Sequence, residues 1–120
     1  MYRVLFRIIK INIHIKEHLL LEIVFKKGAE SIVGKELYPL VDGIAKINVS
    51  NEFLINKNHP VFEVHINFTF KKMKKQAGFI QLNLHDWSMN QSYQEIRTLQ
   101  NSPGGKAMIE FGFIYLDFGI

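Results

Sequence analysis

From Phe62 to Phe70 the chain alternates without a lapse. Phe62, Val64, Ile66, Phe68 and Phe70 are apolar, and Glu63, His65, Asn67 and Thr69 between them are polar. Successive side chains of a strand point to opposite faces, so this pattern predicts a strand with one buried face; a helical stripe would repeat with the longer helical period. The same alternation runs through Leu19, Leu21, Ile23 and Phe25, with Glu22 and Lys26 on the other face. It recurs in Ala45, Ile47 and Val49, in Ile80, Leu82 and Leu84, and in Ala107, Ile109, Phe111, Phe113 and Tyr115.

The opening segment changes phase. Tyr2, Val4, Phe6 and Ile8 place an apolar face on even numbers, whereas Ile9, Ile11, Ile13 and Ile15 place one on odd numbers. A slip of one residue turns every side chain to the other face, so a β-bulge or short break is expected near Ile8 to Lys10. Residues 31–40 read as a further strand, with Pro39 at an edge or a strand end. Turn signals at Lys27-Gly28, Asp42-Gly43, Asn58-His59-Pro60 and Ser102-Pro103-Gly104-Gly105 separate these runs. Alternation is missing from residues 88–101. There Tyr93, Ile96 and Leu99 recur every third position, which predicts a short helix or an ordered loop. The chain therefore reads as an all-β fold, a two-sheet antiparallel β-sandwich of seven to eight strands.

The length of 120 residues suits one domain, and a hydrophobic fraction of 48%, with ten Phe, supplies its core. The absence of cysteine excludes disulfides, thiolate nucleophiles and Cys-based zinc sites. Arg3, Arg7 and Lys10 interrupt the N-terminal apolar stretches, so no signal peptide is predicted, and no run is long enough for a transmembrane segment. A cytoplasmic location is the expectation, and the glycosylation-like triplets at Asn48, Asn67 and Asn90 then carry no weight. The formal charge of +4 is mild: it suits anionic lipid or an acidic partner and falls short of a dedicated nucleic-acid domain.

The strongest local feature is Lys71, Lys72, Met73, Lys74 and Lys75. Such a run is most often a solvated hairpin tip that protects a strand end. Its sharper reading is a contact for phospholipid head groups, with Met73 as a small apolar insertion. Lys26, Lys27 and Lys35 would extend that basic surface if their strands were neighbours. The phenylalanines beside the run, Phe68 and Phe70, share the buried phase and are not available to stack on bases. His14 and His18 would share a helical face, but on a strand that spacing spans about 13 Å, too far for one ion. All five histidines are therefore read as structural or surface residues, and no metal or cofactor is predicted. No nucleophile elbow, phosphate-cradling glycine loop or His-Glu motif is present, and Glu52 and Glu63 stand as separate carboxylates, so no enzyme is predicted.

The order of segments resembles a C2 domain, most closely the N-terminal (NT-C2) subgroup. The resemblance rests on the two opening apolar runs VLFRIIKINIHI and LLLEIVFKKG, on Asn51, Glu52 and Phe53, and on VHINFTFKKMKKQAGFIQLNLHDW, where Gly78 occupies the family's glycine. It implies a module that recruits a larger protein to a membrane or scaffold, placed before a longer partner region. The last strand running to Ile120 fits a domain excised from such a protein. Calcium takes six to eight oxygen ligands. The matching top loops offer only Glu17, among Lys16, Glu17 and His18, and no acid across Lys71 to Gln76, so calcium independence is expected. A pure protein–protein adaptor, using a sheet edge or residues 88–101, is the alternative.

Overall fold

The computed structural model describes residues 1–34, 36–102 and 106–119. Among them nine strands form two antiparallel sheets. The first sheet has the order β5-β1-β9-β8: β5 (Ile44–Ile55), β1 (Tyr2–Asn12), β9 (Met108–Asp117) and β8 (Tyr93–Thr98). The second has the order β3-β2-β6-β7: β3 (Glu30–Val33), β2 (Leu19–Lys27), β6 (Val61–Phe70) and β7 (Met73–Asn83). A short β4 (Tyr38–Leu40) also pairs with β2. This is the expected two-sheet sandwich.

Two segments differ from the sequence reading. Residues 31–40 form two strands: β3 pairs with the lower half of β2 and β4 with its start, Tyr38 facing Leu21. Residues 93–98 are strand β8 rather than a helix or loop. Its half-buried positions are Tyr93, Glu95 and Arg97, while Ile96 is 60% exposed. Arg97 bonds Glu95 at 2.8 Å and lies over the Trp87 and Phe111 rings. A neutralised ion pair covers the core edge where the pattern looks for apolar side chains, and this hides the alternation.

The phase change in β1 is a bulge. Ile8 faces Phe111 and Lys10 faces Glu110, leaving Ile9 as an extra residue against β9. Buried positions therefore pass from Val4, Phe6 and Ile8 to Ile11 and Ile13. The core lies between the sheets. At its centre Phe6 stacks on Phe111 (5.2 Å) and meets Phe25 and Phe62 edge-on (5.8 and 5.7 Å).

A second bulge sits in β7, where Ile66 faces Gly78 and Asn67 faces Gln76. Gly78 has φ +146°, and a Cβ there would lie 2.6 Å from Leu99 Cβ and 2.9 Å from Gln100 O. The segment leaving β8 crosses directly over this glycine and pairs with Phe79 through two backbone hydrogen bonds of 3.1 and 2.8 Å. Gly78→Ala combines a left-handed backbone with overpacking against main chain. It is expected to lower stability by about 2–4 kcal/mol, read from the midpoint of a urea denaturation curve.

Candidate functional site: the lysine end

Strand directions sort the loops onto two ends. β1 ends, and β2, β5, β7 and β9 begin, at one of them. That end carries residues 13–18, the Asp42-Gly43 turn, the Lys71-Lys72 turn and, between β8 and β9, residues 99–102 and 106–107. The turn signals at Pro103, Gly104 and Gly105 lie outside the described residues.

The predicted six-residue loop from Lys71 to Gln76 is a two-residue turn. β6 runs to Phe70 and β7 starts at Met73, with Phe70 facing Met73 across the ladder. Lys71 and Lys72 have φ +51° and +64°, which is the type I′ geometry that matches strand twist and that Asn-Gly adopts with least strain. Two lysines held there project outward from the tip, and Met73 beside them is 63% exposed. Lys71 and Lys75 Nζ lie 5.4 and 5.6 Å from the Phe70 ring centre, so Phe70 is half-buried under two cations rather than fully in the core.

Pairing differs in extent between the two ends. Among the described residues Lys16, Lys71, Lys72, Lys75 and Lys106 make no ion pair. Lys74 pairs with Glu22 at 2.8 Å, and its ammonium holds the Glu22 carboxyl below the usual carboxylate range. That pair is intact at neutral pH and weakens as pH falls through the depressed Glu22 value. Toward the opposite end Lys27 meets Glu30 (3.3 Å), Lys57 meets Asp117 (2.5 Å) and Arg3 meets Glu52 (2.6 Å).

The two lysine groups named from the sequence do not converge. Lys75 shares a cross-strand row with Phe68 and Leu21, while Lys26 and Lys27 stand five and six residues further along β2. At ~3.3 Å per residue that is about 17–20 Å, beyond the ~8 Å Debye length of physiological salt. Lys27 is also engaged, donating to Leu54 O at 2.6 Å. Lys35 lies outside the described residues.

Other side chains join the tip instead. A groove of about 530 Å³ beside it is lined by His18, Leu20, Leu37, Thr69 and Lys74. Leu20 and Leu37 are 52% and 54% exposed. One signal for this was present in the sequence: Leu19-Leu20-Leu21 places an apolar residue on the outward phase of β2. The resemblance places Lys16 in a top loop at this end, but nothing marked Lys106, which only the fold brings here.

Four of the histidines, His14, His18, His59 and His85, are exposed. His65 is buried, although it lies on the outward face of β6. It stacks on Phe79 at 4.9 Å, with Nε2 2.8 Å from Glu63 Oε1 and Nδ1 2.6 Å from Gln76 Nε2. Among the described residues no three His, Asp or Glu side chains are placed to share a metal ion. No helix there is long and apolar enough to cross a membrane.

No protein-family model matches this chain, and no curated protein matches it in sequence. Solved structures do match in fold. The first C2 domain of plant Extended Synaptotagmin 1 superposes with a TM-score of 0.76 at 12% identity, covering 98% of this chain and 96% of that one. The paired C2 domains, A and B, of Extended-Synaptotagmin 2 give 0.76 at 14% identity, over 95% of this chain and 41% of that one. Human GIVD cytosolic phospholipase A2 gives 0.73 at 12% identity, over 98% of this chain but 16% of the enzyme. The sandwich is thus the C2 β-sandwich, and the chain spans about one such domain.

Proposed function

We propose that this domain is a non-catalytic, calcium-independent C2 module of the N-terminal kind, which recruits its protein to membranes by binding anionic phospholipid head groups. It then acts in the cytoplasm, peripheral at membrane or cytoskeleton. One observation carries this function: the unpaired lysines Lys16, Lys71, Lys72, Lys75 and Lys106 and an exposed methionine collect at one end, while toward the other end Lys27, Lys57 and Arg3 are ion-paired and Lys26 alone of the β2 pair is not. Each free lysine near an anionic leaflet contributes about 1 kcal/mol, so the unpaired Lys71, Lys72 and Lys75 supply about 3 kcal/mol, Lys74 is offset by Glu22, and Met73 adds apolar contact.

The donor set at this end supports calcium independence. Its carboxylates Glu17 and Asp42 belong to different loops, and Glu22 is held by Lys74. Calcium prefers six to eight oxygens, largely from carboxylates. Flotation with vesicles containing phosphatidylserine and phosphoinositides tests the reading. Equal binding in calcium and in chelator is expected, weakening in high salt. Loss of binding in chelator would overturn calcium independence, and absence of binding to any anionic vesicle would leave the adaptor reading.

The strained turn yields a separate test. Replacing Lys71-Lys72 by Asn-Gly suits the I′ geometry and is expected to stabilise the domain by about 1–2 kcal/mol. The same variant removes two of the tip cations and is expected to bind vesicles more weakly. A rise in melting temperature with a fall in flotation would show that the turn holds its lysines at a cost in stability.

A further inference from the structure

The outward face of the first sheet departs from the composition of a solvated sheet. An antiparallel sheet with one wet face carries polar side chains there. Here Leu5 lies directly opposite Ile114, and Arg3 stands between Leu54 and Leu116. Ile9 extends the strip at the bulge, and all five of these apolar side chains are half-buried. Gly112 lies beside Arg7 and opens a depression of about 240 Å³, lined also by Leu5, Ile9, Gln94 and Ile114.

Arg3 within this strip is neutralised by Glu52, which faces Leu5, but the charges further along, toward the bulge, form no ion pair among the described residues. Arg7 bonds the neutral Asn48 side chain, at 3.3 Å, and meets no carboxylate there. Lys10 and Lys46 stand directly opposite each other on β1 and β5, and like charges in that position destabilise a sheet. Glu110, across from Lys10 on β9, accepts from Gln94 at 3.1 Å and forms no ion pair among the described residues. A carboxylate-bearing ligand would relieve this repulsion, and apolar anchors would fill the strip and the Gly112 depression.

We propose that this face docks an acidic, amphipathic segment of a protein partner, its Leu- or Phe-type anchors lying over Gly112 and its carboxylates meeting Arg7, Lys10 and Lys46. The surface is the outward face of the first sheet, whereas the lysine tip belongs to the β6-β7 hairpin of the second, so membrane and partner can be held together. The test selects displayed random peptides on the whole 120-residue chain, and a ¹⁵N spectrum of the wild-type domain then maps the peptide obtained. Selected peptides are expected to combine Asp or Glu with Leu or Phe and to shift the amides of Leu5, Ile9, Gly112 and Ile114. Their affinity should fall by roughly tenfold or more in Arg7→Glu/Lys10→Glu, with vesicle flotation unchanged. Peptides without acidic enrichment, or shifts confined to other surfaces, would overturn the proposal. Loss of flotation in the Arg7→Glu/Lys10→Glu variant would overturn it too, because it would assign this face to lipid. Since flotation and peptide binding are read separately, failure of one site is distinguishable from failure of the other.

Discussion

Binding to anionic vesicles is expected to fall by about three orders of magnitude when Lys71, Lys72, Lys74 and Lys75 are all changed to Glu. The estimate follows from the removal of about 3 kcal/mol of attraction by the three unpaired lysines, about a hundredfold, with charge reversal and the freed Glu22 carboxylate adding the rest as repulsion. Among the described residues Lys71, Lys72 and Lys75 have no carboxylate partner to lose, and the cation–π contacts of Lys71 and Lys75 with the half-buried Phe70 are worth about 0.5–1 kcal/mol each, so their replacement keeps the fold at a small cost in stability. Lys74 differs because it neutralises Glu22, whose side chain is 19% exposed. A triple variant that keeps Lys74 therefore controls for the Glu22 pair and should lose most of the binding with only a small fall in melting temperature. Lys26→Glu is the contrasting control: at about 17 Å from the row of Lys75 it should change flotation by less than about threefold. Co-flotation across a salt series measures all three. Undiminished binding by the quadruple variant would remove the tip from the site.

What the sequence discloses depends on whether water or protein lies against each face. The alternation of β6 is legible because its odd positions meet polar groups, while Phe62, Val64, Ile66 and Phe68 enter the core. The bulge at Ile9 is legible for the same reason, since two apolar phases in one strand have no other simple solution. β8 escapes notice because Glu95 and Arg97 cover the core edge as a pair and Ile96 faces out. The lysine run shows in composition, but not its division into a two-residue turn and a strand. Charge pairing across strands is invisible to local patterning. Only the fold shows that Lys27 is spent on Glu30 and Leu54 while Lys106 lies at the lysine end.

Phe6→Ala should be the most damaging single truncation. The side chain is fully buried at the point where the two sheets face each other, with Phe111 and Phe113 from one sheet and Phe25 and Phe62 from the other around it. Deleting a buried phenyl ring costs the transfer free energy of its atoms and leaves a cavity, together about 3–5 kcal/mol. For a domain of this size the melting temperature should drop by roughly 10–20 °C. Phe6→Leu keeps most of the volume and should cost about 1–2 kcal/mol, and Leu5→Ala next door on the outward face less than that. Thermal melts of the three variants check the order. A Phe6→Ala protein as stable as Leu5→Ala would mean that the sheets do not pack through Phe6. Folded Phe6→Leu should bind vesicles like the wild type, because no residue of the lysine tip touches that ring. A matching loss of flotation would instead couple the core to the site.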